Sequence, residues 1–154
     1  MSNLDFSSIY DGVSLALHRA IPVAQVHGGD VQQGLKPGDL NVIMPSAGHT
    51  RQVGSRYLRT PTLDVIYYPK EGMAECYRTA DVLVRALEDI TTPEGDVIHC
   101  TSCEWSVEDG VLHILVSYDH YIYTPKDEDF METLELEMER SEEHTSGTPV
   151  TYTS

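Results

Sequence analysis

A chain of 154 residues, 40% of them hydrophobic, is long enough for one domain with a real core. Its formal charge of −15, from 25 acids against 10 lysines and arginines, argues against sequence-independent binding to DNA or RNA and against docking on anionic lipid. No apolar run reaches the roughly 18 residues a membrane span needs, the N-terminus MSNLDFSSIYDGV lacks the marks of a secretory signal, and three cysteines fit a reducing compartment better than a disulfide framework.

Phe6, Ile9, Tyr10, Val13 and Leu17 recur at helical spacing, which predicts a helix over 5–20. Asp5 is its N-cap and Pro22 stops the chain beyond its end. Val23 to Val26 reads as a short strand, and Gly28-Gly29-Asp30 as a turn. Residues 34–50 read as loop apart from a buried strand over Leu40 to Met44. Residues 45–55, PSAGHTRQVGS, are expected to form an exposed, mobile loop.

A long strand follows over 56–68, with Leu63, Val65 and Tyr67 on one face and Ile66 and Tyr68 on the other. Pro61 has no N–H to donate, so it marks an edge, a bulge or a kink. The clearest helix is predicted over 73–90, with Cys76, Ala80, Leu83, Leu87 and Ile90 as its core stripe. Glu75, Arg78, Asp81, Arg85 and Glu88 fall on its wet side.

A hairpin of 97–107 and 111–123 turns at Glu108-Asp109-Gly110, where Asp-Gly is the strong signal. Leu112, Ile114, Val116, Tyr118 and Ile122 share one face of its second strand, and Val97, Trp105 and Val107 one face of its first. A last helix is expected over 127–140, followed by a polar tail. These elements give an α+β fold, with residues 1–125 as the domain and 126–154 as an acidic C-terminal segment.

Charge is unevenly placed. Residues 127–143 hold nine acids, Asp127, Glu128 and Asp129 at their head, and one base, Arg140. Arg51, Arg56 and Arg59 lie within nine residues of one another, with His49 beside them. Either these arginines are solvated charge, or they form a docking loop that meets an acidic face of a neighbouring subunit or partner. Likewise the acidity either keeps the protein soluble, meets a basic partner, or lines a passage that repels DNA.

His99-Cys100-Thr101-Ser102-Cys103 holds half of a zinc pattern, but on a strand, where residues three apart face opposite ways, the thiols would diverge. No phosphate loop, dinucleotide fingerprint or nucleophile elbow occurs, so no cofactor and no catalytic residue are expected. Nine tyrosines against two phenylalanines fit half-buried faces and interfaces, or ordinary strand preference.

Arg56-x-x-Arg59 is followed by Asp64-x-Ile66-Tyr67-Tyr68-Pro69, Glu75-Cys76 and Leu87-Glu88-Asp89-Ile90. Val107-x-Asp109-Gly110-Val111-Leu112-His113-x-x-Val116-x-Tyr118 completes the pattern. This order resembles the tail terminator, or tail completion, proteins of long-tailed bacteriophages over residues 5–123. The resemblance implies a single α+β domain, an antiparallel or mixed sheet of about four to five strands with helices on one face. It implies a non-enzymatic virion protein at the head–tail junction, made in the host cytoplasm. Six copies would form a ring on the last ring of the tail tube protein and offer the other face to the head–tail connector, or stopper, with DNA passing through. The candidate contacts are His49, Arg51, Arg56 and Arg59, then Asp109 and Gly110, then Asp127, Glu128 and Asp129. Two competing readings are a head-completion or connector protein of the same neck, and an acidic adaptor or DNA mimic that binds a basic partner. A metal enzyme centred on His99, Cys100 and Cys103 is a third.

Overall fold

The computed structural model describes residues 4–28 and 35–123. The turn at Gly29-Asp30, the helix expected over 127–140 and the candidates Asp127, Glu128 and Asp129 lie outside the described residues.

Helix α1 spans Phe6–Ala20. Asp5 caps it from extended backbone, its Oδ1 accepting from Ser8 N–H at 2.7 Å. Strand β1 is Val26–Gly28 rather than Val23 to Val26, because Pro22 and Val23 sit in a turn that holds Val23 out in solvent. Strand β2 then runs Leu40–Arg51 and β3 runs Arg56–Tyr67, each 12 residues long. The expected mobile loop over 45–55 is therefore mostly strand. The sequence reading stopped β2 at Pro45 and Gly48, which normally interrupt strands. The structure absorbs Pro45 in a register shift: Ile43 faces Asp64, but Ser46 faces Thr62. Two residues, Met44 and Pro45, thus oppose Leu63 alone, and pairing resumes through Gly48 and Thr60 to Arg51 and Tyr57.

Helix α2 is Met73–Ala86, shorter than the predicted 73–90. Its stripe of Cys76, Ala80, Leu83 and Leu87 is buried as expected. Ile90 is buried too, but from strand β4, Asp89–Thr91, which pairs with β5, Val97–His99, in a separate ribbon. The period of 3.6 ran on into Ile90 by coincidence of burial. Val97 likewise leaves the face assigned to it and is exposed. Glu75 is not a wet-side residue; its carboxylate turns back to accept from Tyr67 O–H and from Lys70 and Glu71 N–H.

Strands β6, Ser102–Glu108, and β7, Val111–Ser117, form the hairpin, with Glu108 opposite Val111. Asp109 and Gly110 both have positive φ, 52° and 76°, the pair of left-handed residues a type I′ turn requires. Strand β8, His120–Tyr123, follows.

The main sheet is mixed and open, ordered β1-β2-β3-β7-β6, with β8 on β3; β1 runs parallel to β2 and the other pairs are antiparallel. It holds six strands where four to five were expected, because the long β3 has two successive partners on one side. Its first half pairs with β8 and its second half with β7. Pro61 stands at the changeover. Its carbonyl accepts from Tyr118 N–H, so its N faces the same side, into the gap between β7 and β8 where no donor is needed.

Both helices cover one face of the sheet. Ile9, Val13 and Leu17 of α1 and Cys76, Ala80 and Leu83 of α2 pack on Leu63, Val65, Leu112, Ile114 and Val116 in a single core. Two tyrosines fasten the layers. Tyr10 O–H donates to Val42 O on β2, and the buried Tyr118 O–H donates to Leu87 O at the end of α2. Burial drives the Tyr118 hydroxyl far above the ordinary tyrosine value, so it stays a donor.

Candidate assembly interface

The fold makes one feature of the charge pattern concrete. Beyond the bulge, residues 46–51 of β2 and 56–61 of β3 form a two-stranded arm, closed by the turn at 52–55 and flanked by β8. Gln52 N–H donates to Arg56 O across the base of the turn, Gly54 takes a positive φ of 72°, and Val53 is 85% exposed at the tip. Residues 46–61 contain Arg51, Arg56, Arg59 and His49 and no acid, in a chain whose net charge is −15.

The four candidates on the arm have different tasks. Arg59 lies on the helix side of the sheet. Its guanidinium sits 4.4 Å from the centre of the Phe6 ring, its Nη1 donates to Leu4 O at 3.2 Å, and its Nε donates to His49 Nδ1 at 3.1 Å. His49 in turn stacks on Tyr57, with ring centres 4.5 Å apart and planes 4° off parallel. These two residues tie the arm to the start of α1. Arg59 also helps hold the Asp5 carboxyl below its ordinary value, after the hydrogen bonds from Ser7 and Ser8.

Arg51 and Arg56 are exposed. Arg56 points to the face the helices leave uncovered, 4.8 Å over the ring of Tyr121. Arg59 therefore reads as a structural residue and Arg51 and Arg56 as surface charge.

Asp109 and Gly110 do not join this group. Strand β3 runs from Arg56 beside the arm turn to Tyr67, whose partner on β7 is Leu112. The hairpin turn thus lies at the far end of the sheet, roughly 40 Å away along a 12-residue strand. There it adjoins the Pro37 and Tyr68–Pro69 segments across a shallow cleft.

Alternation in the sequence placed Leu115 and Tyr121 opposite the core but did not say that nothing packs there. Among the described residues no helix covers this face. Leu115 is 44% exposed, Tyr121 56% and Tyr123 60%. Around them lie Thr62, hydrogen-bonded to Ser117, and Asp64, whose carboxylate is 3.2 Å from His113 Nδ1. A further exposed apolar group, Tyr77 with Trp105 at the outer edge of β6, was not foreseen. The signal available was a tryptophan on a strand with no further strand expected beyond it.

The His99-Cys100-Cys103 pattern is not a metal centre: no three His, Cys, Asp or Glu side chains among the described residues are grouped to hold an ion. His99 is taken by Asp89, 2.6 Å away, and the Cys100 thiol donates to Ser102 O. The thiols of Cys100 and Cys103 do not diverge but act on one another electrostatically, because the chain leaves strand pairing at Cys100 and Thr101 and the alternation restarts. Burial and the neighbouring sulfur push Cys103 up to about 11, so it is a thiol near neutral pH.

The family model for phage tail terminator proteins matches residues 8–130. The chain belongs to that family. The match spans α2, the eight described strands, the arm and all of α1 but its first two residues. The protein is thus a structural component of the phage tail, and it associates with other tail components. No curated protein matches it in sequence. No helix among the described residues is long and apolar enough to cross a membrane.

Proposed function

We propose that six copies of the protein form a ring that caps the tail tube and joins it to the head connector. It acts by covering an edge, and no bond is made or broken. The ring occupies the surface on which the next ring of tube protein would add, and its opposite face receives the connector or stopper at the head–tail junction. DNA passes through the ring without being read, and the acidic balance of −15 repels it from the wall. No cofactor is used.

The observation that carries this reading beyond the family is the two-ended sheet. An arm free of acids projects at one end, and the Asp109-Gly110 turn lies at the other. A protein that must touch one neighbour on each side is served by contacts separated along one rigid strand. Arg51 and Arg56, on the arm, are the contact residues of first choice. Asp109 and Gly110 come next, and the acidic residues from Asp127 to Asp129 third. Residues 1–125 act as the ring-forming domain and 126–154 as an appendage to it.

Electron microscopy of lysates from a phage lacking the gene tests the role. Overlong, irregular tails beside full heads are expected. Tails of normal length beside emptied heads would instead make it a head-completion protein, and normal infectious particles would end the proposal.

A further inference from the structure

Two edges of the main sheet end without a partner among the described residues. On one side β1 covers only residues 40–42 of β2, and no described strand pairs with the outer edge of residues 46–51. On the other side β6 is the last strand of the order. Gln52 N–H donates to Arg56 O, so the even residues of β2 face β3, and Ala47, His49 and Arg51 turn their N–H and C=O groups outward. The two-residue turn makes Glu108 and Val111 a bonded pair, so on β6 it is Cys103, Trp105 and Val107 that turn outward. Neither SAGHTR on β2 nor SCEWSVE on β6 holds the lysine or proline that commonly blunts such an edge.

The side chains at the two edges are complementary. Register places His49 opposite Arg59 and Arg51 opposite Tyr57, so both bases project on the helix side of the sheet, while Arg56 projects on the other. Ile114, the partner of Trp105, lies in the core, so Trp105 also projects on the helix side, where it meets Tyr77 with ring centres 5.8 Å apart. Both rings are about half exposed. Residues 102–109 hold Glu104, Glu108 and Asp109 and no base, whereas residues 46–51 hold bases and no acid. A β6 edge set against the β6 of a second copy would bring glutamates together, and an arm set against a second arm would bring like bases together. Arm against β6 avoids both.

We infer that residues 46–51 of one copy add antiparallel to the outer edge of β6 in the next copy, continuing the sheet with the helices of both on the same side. This deepens the ring reading and rests on it. Ala47, His49 and Arg51 then exchange backbone hydrogen bonds with Cys103, Trp105 and Val107 of the neighbour, and the two bases cover Trp105 and Tyr77. On the opposite face the glutamates of β6 come beside Ser46, Gly48 and Thr50, none of them acidic. Each copy uses one edge and offers the other, the head-to-tail kind of contact from which rings close. Residues 46–51 lie beside the first half of β3, and β6 lies beyond β7 at the second half. Neighbours are therefore displaced along the strands by about six residues, roughly 20 Å. In a closed ring the strands then run oblique to its axis.

Paired cysteines test this on tails from a phage that lacks the gene and is supplied with variants in trans. Thr50→Cys is combined in one chain with Ser102→Cys, Glu104→Cys or Ser106→Cys, which covers registers two residues apart. All four positions are exposed, on the face opposite Cys103. Purified tails are oxidised and run on non-reducing gels. Expected is a ladder at multiples of the single chain in at least one combination, with the parent and every single variant remaining at the size of one chain. Single variants that dimerise would pair like edges and overturn the inference. Absence of a ladder in all three combinations, on tails of normal length that carry the variant in the parent's amount, would also overturn it and leave the ring standing. One or two copies of the parent protein per tail, counted by quantitative mass spectrometry, would instead remove the ring, and the inference with it.

Discussion

Replacing Tyr118 with phenylalanine removes one oxygen from the interior and should cost about 2 kcal/mol. Tyr118 has no exposed surface, and its hydroxyl donates to Leu87 O at 2.6 Å. Leu87 is the C-cap of α2, where carbonyls lack helical partners. Phenylalanine fills nearly the same volume, so no cavity forms and the ring keeps its packing. What remains is a carbonyl in a dry site without its donor, worth about 1–3 kcal/mol less a little for the hydroxyl's own burial. For a chain of 154 residues that lowers the melting temperature by about 6 °C. Urea denaturation followed by circular dichroism gives the free energy, with Tyr121→Phe as the control, since Tyr121 is 56% exposed and should change by less than about 0.5 kcal/mol. If Tyr118→Phe moved no more than its control, the bond would not be holding α2 to the sheet.

Three further outcomes follow from other parts of the fold. Gly110→Val should destabilise by about 1–2 kcal/mol in the same assay, because position 110 has a φ of 76° and a branched side chain resists that conformation. Arg59→Ala should cost about 1–2 kcal/mol through its bonds to Leu4 and His49 and its seat on Phe6, whereas Arg56→Ala should stay within about 0.5 kcal/mol; equal effects would remove the distinction between them. Burial opposes the charged form of Asp39, but bonds from Lys36 N–H and His27 outweigh it and hold the carboxyl below its ordinary 3.8. A depressed carboxyl gives stability that is full above that ordinary value and is lost as pH falls through the folded one. Asp39→Asn should therefore lie below the parent at pH 7, with the gap closing below pH about 4 in acid-denaturation curves.

What the sequence determined by itself was local. Alternation gave the faces of β3 and β7, the 3.6-residue period gave both helices, Asp5 gave the cap, and Asp109-Gly110 gave the turn. Each depends on interactions within a few residues, so a short window contains the whole argument. The order of these motifs along the chain also carried the resemblance to tail terminators, which the family match bears out.

What only the tertiary structure decided was non-local. Whether Pro45 ends a strand or sits in a bulge depends on Leu63, 18 positions away, and on how the register resumes at Thr62. Whether Ile90 continues a helix depends on Ile98, which draws it into a ribbon instead. The three arginines look alike in sequence, yet Arg59 is bound to the start of α1, 55 positions from Leu4, while Arg51 and Arg56 stay exposed. A charge pattern records which groups are present; their partners follow from chain segments that meet only once the sheet has formed.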